Sequence, residues 1–375
     1  MIIKNRIQNS PFRVMGVFTN DSADILSSNH SRMKAFSAIG KDVAFSQDMV
    51  SVFGTKPNRH ADALATSISA ISSPEDRLRY GMFWFMNITA TDAKALAALA
   101  RDGNLLEARQ MWEEGEQNMS SLQNQLMCCL LKDPRSYSKA LQLAWSLYTK
   151  YGHEFILTVS NGFNAITPDN LMPTFLAEIV KASDGKFMWW NKAIKRSCNE
   201  TLSHLWSEAK AALHISKLQH ALNVAKTTEI LATQDNYDIA VRLMQQAEPH
   251  LKALKELKEE HPLLFSRYAT IADAVCEEVL NREIHYYNHS GWFVDKTDHV
   301  LTLERFCYRY AATIRFKDRC KLNINITMGR KENAPLFPNG MPDNLVFESE
   351  RKKRNSGICA ILSAIECQKE KDENY

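Results

Sequence analysis

Glycine and proline punctuate this chain so rarely that few folds are open to it: 13 Gly and 11 Pro stand in 375 residues. Tight turns draw on those two residues for positive or pre-set φ angles, so a fold of many short strands lacks material for its corners. Helices joined by short loops do not need it. Apolar residues recur at spacings of three and four along most of the chain, the signature of amphipathic helices. The fold class is therefore read as mainly α, with at most a short strand at 322–327, where LNINIT alternates with a period of two. A length of 375 residues also suffices for more than one core.

Charge and cysteine narrow the class further. With 46 basic against 43 acidic residues the net charge is only +3, so nucleic-acid binding would have to rest on local patches. Eight cysteines are scattered without a CxxC pair, the usage of a reducing compartment. The opening MIIKNRIQNSPF has no apolar core of signal-peptide length, and no run reaches the roughly 18 apolar residues of a membrane helix. The expectation is a cytoplasmic protein.

Three helices are expected near the start. Asp21 or Ser22 begins one that runs to about residue 39, with Leu26, Met33 and Phe36 inward and Gly40 ending it. Pro57 begins a second, showing Leu64, Ile68 and Ile71 on one face. In AISSPEDRLRYGMFWF (70–85), Ser73 caps a third whose first residue is Pro74, with Glu75 and Asp76 at its positive end. The first two should pair antiparallel, closed by Leu78, Met82 and Phe85, with Phe12, Val14 and Val17 as a lid.

That succession resembles a J-domain of the DnaJ type over residues 9–85. The resemblance is carried by Pro11-Phe12-Arg13-Val14-Met15-Gly16-Val17, by 22–36 as the second helix and by 73–80 at the junction of the last two. J-domains carry a His-Pro-Asp tripeptide after the second helix, which stimulates ATP hydrolysis in a DnaK-type chaperone. Here the loop reads Ser37-Ala38-Ile39-Gly40-Lys41-Asp42-Val43-Ala44-Phe45, and the tripeptide occurs nowhere. What the resemblance implies is a scaffold that docks a chaperone or other acidic partner through Arg32, Lys34 and Lys41 without stimulating ATP turnover. The competing account of these cations is ordinary solvation.

From residue 91 onward short helices follow one another, stopping at Gly103, at Gly115 and before Pro134. Segments beginning at Asn104, Ser136 and Asn236 look alike, each with an alanine four residues on (Ala108, Ala140, Ala240). The first two alanines lie 32 positions apart, near the period of about 34 of tetratricopeptide helix pairs, which these hairpins faintly resemble. The organisation read is a J-like unit over 9–90, a body of stacked hairpins over 91–330, and a tail over 331–375. The tail holds a proline-containing linker, a basic cluster and a short amphipathic helix.

Residues that could carry chemistry are few. His285 and His289 share a helical face at i and i+4, but Glu283 is outside an HExxH arrangement. Tyr286, Tyr287, Trp292 and Phe293 either pack a core or line a groove for a peptide. Cys128 and Cys129 lie in an apolar run and read as buried. No GxxxxGK[ST], GxGxxG or GxSxG occurs. No catalytic residue, cofactor or metal is therefore assigned. The reading is a non-catalytic protein–protein adaptor or chaperone-associated scaffold. Its alternative is an accessory nucleic-acid binder using basic residues at 192–196 and Arg351, Lys352, Lys353 and Arg354. An enzyme with a dispersed site ranks last.

Overall fold

A computed structural model of the chain describes residues 2–160, 162, 165–289 and 296–333. They divide into two compact units, one of Met1–His220 with Pro249–Tyr268, the other of Ala221–Glu248 with Ala269–Tyr375. The fold is mainly α, with helical hairpins and no strand among the described residues. In chain order the helices are α1 (Ile2–Gln8), α2 (Pro11–Met15), α3 (Ala23–Ala38), α4 (Val50–Phe53), α5 (Ala61–Ala70), α6 (Pro74–Gly81), α7 (Ala90–Asp102), α8 (Leu105–Glu114) and α9 (Met119–Lys132). Then come α10 (Tyr137–Ser160), α11 (Pro168–Ser183), α12 (Met188–Ser197), α13 (Glu200–Thr227), α14 (Thr233–Glu260), α15 (Phe265–His289), α16 (Thr297–Tyr310) and α17 (Ile314–Asn333). The boundary between the units falls within α13 and α14 and near the start of α15. None of the described helices is long and apolar enough to cross a membrane.

In the first unit the expected caps are in place. Ser22 Oγ accepts from the N–H of Ile25 at 3.4 Å, and Ser73 Oγ from that of Asp76 at 3.1 Å, with Pro74 at the first helical position. Helix α6 ends at Gly81, where the packing leaves room for glycine alone: a Cβ there would lie 2.3 Å from Val159 Cγ1. Beyond it Met82, Phe83, Trp84, Phe85 and Met86 are all buried, not as helix but as a strap through the core. Met82 and Phe85 thus leave the helical face expected of them.

Side-chain amides of α9 satisfy the strap's backbone. Gln123 Nε2 donates to the carbonyls of Gly81, Met82 and Trp84 at 3.2, 3.3 and 2.7 Å. Asn124 accepts from Met86 N–H and donates to its carbonyl, both at 2.9 Å. The partner for the strap's large side chains is the α2 segment, buried from Pro11 to Thr19. Trp84 Nε1 donates to Val17 O at 2.9 Å, and Thr19 N–H to Phe85 O at 3.1 Å. Each aromatic buried here contributes roughly 1.5–3 kcal/mol, enough to offset the loss of a regular hydrogen-bond ladder.

Two expectations for this unit are corrected. The second helix starts at Ala61 and not at Pro57, because Arg59 turns inward to bond the carbonyls of Val14 and Val43 and the carboxylate of Asp48. The helices α3 and α5 pack chiefly on α2 and not on each other. Between them, Met49, which joins the 3₁₀ turn Ser46–Asp48 to α4, and Phe53 of α4 are buried.

Helices α7, α8, α9 and α10 pack in succession as antiparallel neighbours joined by short turns. Asn104 caps α8 through bonds from Leu106 and Glu107 N–H at 3.2 and 3.3 Å, and Asn118 caps α9. Ala108 and Ala140 are buried at 1% and 0% exposure, small residues where helices approach closely. In the second unit Ala240 is likewise buried, and α16 and α17 form a hairpin. Asp273 holds its turn by accepting from Ala312 N–H at 2.7 Å and Thr313 Oγ1 at 2.6 Å. The short strand expected at 322–327 is helical, part of α17. Cys320 and Thr327 are buried and Asn323 and Ile324 half-buried, so a spacing of three and four overrides a six-residue alternation.

Candidate functional site

Helix α3 invests little in its own unit. Of its 16 residues only Met33 is buried, with Leu26, Asn29, His30 and Phe36 half-buried along the same stripe. Asn29 fastens that stripe by donating to the carbonyls of Met15 and Gly16 at 3.3 and 2.8 Å. The rest of the circumference faces solvent, including Arg32 and Lys34, and the chain then turns through exposed Ile39, Gly40, Lys41 and Asp42. Ile39 is 65% exposed, a large apolar side chain beside these cations.

The base of this surface is rigidly built. Phe45 ends the loop by packing on Gly16, whose φ of +64° and closeness to the ring, 2.5 Å from an added Cβ to Phe45 Cγ, leave room for glycine alone. The Arg32 and Arg59 guanidinium carbons lie 5.5 and 4.9 Å from the Phe45 centroid, so the ring sits among cations. Beneath, Arg59 pairs with buried Asp48, and Arg13 donates to the carbonyls of Asp48, Gln8 and Thr55. Burial lowers Arg13 to about 10, with Asp48 opposing and Arg59 adding to the shift. A hollow of about 430 Å³ opens beside Arg13 between Gln8, Thr55, Lys56, Asn58 and Asp62. Three carbonyls take one N–H each from Arg13 Nε, Nη1 and Nη2.

A second exposed face lies on α12. Met188 and Trp189 are 59% and 40% exposed, next to exposed Lys192, Lys195 and Arg196, and Lys192 Nζ lies 4.9 Å from the Trp189 ring centroid. Trp190, one residue on, points inward and stacks on Tyr137 at 4.0 Å. Sequence reasoning found the cations and missed their aromatic companion. The signal was the doublet itself, since adjacent helical positions face about 100° apart and one side takes only one of them.

In the second unit Tyr286 is 3% exposed, against Tyr237 at 5.0 Å and under Lys296 at 4.9 Å, so its ring is packing material. Tyr287 is half-buried and His285 exposed. Trp292, Phe293, Arg351, Lys352, Lys353 and Arg354 lie outside the described residues, as does the expected C-terminal helix. The His289 side chain is also outside them, and no group of three or more metal-ligating side chains occurs among the described residues. Cys128 and Cys129 are buried, and burial pushes both thiols up, with Arg109 opposing.

The described residues thus define an all-α protein of helical hairpins, with cationic faces exposed on α3 and α12. Comparison of the chain with protein families, with curated proteins and with solved structures returns no match.

Proposed function

We propose that this chain is a non-catalytic interaction scaffold, J-like in its first residues, that docks an acidic protein surface on α3 and the loop after it. The observation that carries the reading is the exposure of α3: a helix this polar, holding to its unit by one stripe, has its remaining faces free for a partner. The J-like part rests on the order of α2, α3, α5 and α6 with their caps at Ser22 and Ser73, without the α3–α5 pairing expected of such a unit. Arg32, Lys34 and Lys41 supply the charge that steers such a partner, and Ile39 the apolar anchor. A DnaK-type chaperone is the partner the resemblance implies, bound without stimulation because His-Pro-Asp is missing.

A second reading is favoured by α12, where an exposed indole beside three cations is the arrangement that stacks a base and neutralises its phosphates. Photo-cross-linkers separate the two. With a purified DnaK-type chaperone, a cross-linker at position 34 should capture the chaperone and one at 189 should not. With single-stranded RNA, capture at 189 and none at 34 would transfer the function to α12.

A further inference from the structure

Within the first unit, α13 and α14 bring His214 and His250 together with their Nδ1 atoms 3.0 Å apart and ring centroids 5.3 Å apart. Both rings are half-buried. A bond between two Nδ1 atoms needs a hydrogen on one and a lone pair on the other, so the rings must be complementary tautomers. The donor ring then has its free lone pair at Nε2, and the acceptor ring carries its hydrogen there.

Those tautomers dictate what acid does. The first proton enters at the donor ring's Nε2, which keeps the bond but creates a cation in a half-buried site. That cation is disfavoured by Lys210 of α13 if it sits on His214, and by Lys217 of α13 if it sits on His250. Glu260 on α14 acts on Lys210 and is itself exposed. The second proton has only the acceptor's Nδ1 to take, and it sets two N–H groups against each other. Burial lowers His214 to about 4, helped by His250 and Lys210, and lowers His250 in the same direction, helped by Lys217. Pro249 immediately precedes His250 inside α14 and has no N–H to give, so the turn carrying His250 has one backbone bond fewer.

We propose that the His214–His250 pair is an acid-sensitive latch between α13 and α14, closed while both rings are neutral and released when mild acid charges them. It is independent of what docks on α3.

Hydrogen exchange on the full chain tests this, with each rate divided by the intrinsic rate at that pH. Between pH 7 and pH 5 protection at 207–218 and 250–257 should fall about tenfold, as proton uptake on opening requires, while α9 stays protected. In the His214→Phe/His250→Leu double variant the fall should vanish. Protection unchanged by pH in the native chain, or a fall that survives in the double variant, overturns the latch. Should that variant not fold, ring-carbon NMR of the native chain decides. Two histidines titrating well below about 6.5 support the latch, and an ordinary midpoint near that value for both His214 and His250 overturns it.

Discussion

Replacing Asp92 by alanine probes the polar frame that fixes the strap and the hairpins behind it. The carboxylate is fully buried and accepts from Trp112 Nε1 at 2.8 Å, Ser120 Oγ at 2.7 Å, Asn124 Nδ2 at 3.0 Å and the N–H groups of Ile88 and Thr89 at 3.1 and 2.8 Å. Removing it does not cost five equal bonds. Ile88 is exposed and Thr89 half-buried, so their N–H groups turn to water and only the α7 cap is lost, about 1 kcal/mol. Ser120 keeps Asn118 at 2.9 Å, and Asn124 keeps Met86. The orphans are the Trp112 indole and one Asn124 hydrogen, each buried at about 1–3 kcal/mol. The expected loss is about 3–7 kcal/mol, read from urea unfolding followed by the fluorescence of buried Trp84 and Trp112. A loss below about 1 kcal/mol would refute the idea that this carboxylate organises the unit.

Gly16→Ala should cost about 2–4 kcal/mol in the same assay, because it adds left-handed strain to a clash with Phe45. Phe36→Ala should cost about 1–2 kcal/mol, less than a core phenylalanine, since the ring is half-buried. Trp190→Ala should destabilise by about 3–5 kcal/mol and Trp189→Ala by under about 1 kcal/mol, a contrast between neighbours that circular dichroism melts resolve. His214 is held below its unfolded value of about 6.5, so its contribution is complete above that pH and is lost as pH falls towards about 4. Solvent screening of a half-buried ring reduces the full linkage to about 1–2 kcal/mol, and His214→Phe should flatten that part of the stability–pH curve.

Local signals carried the helices well and tertiary ones poorly. Ser22, Ser73, Asn104 and Gly103 cap by contacts within a few residues, so their roles could be read directly. The strap could not, because what satisfies it is a pair of amides, Gln123 and Asn124, about 40 residues away. Buried Arg77 shows the same limit: it bonds Val159 O at 2.8 Å and Asp21 O at 2.7 Å across the fold, where its sequence context reads as a solvated charge. For the candidate surfaces, charge was legible at Arg32, Lys34, Lys41 and 192–196. Exposure was not, which is why Tyr286 looked available and Trp189 went unremarked.

The central claim is docking without stimulation, and one titration tests it. Increasing amounts of the chain are added to a purified DnaK-type chaperone with ATP, with binding followed by anisotropy and turnover by phosphate release in the same samples. The account predicts saturable binding that is lost in the Arg32→Glu/Lys34→Glu/Lys41→Glu variant, with turnover held at the basal rate throughout. Absence of binding would contradict the docking surface, and a dose-dependent rise in turnover abolished by altering Lys41 or Asp42 would contradict the inert loop.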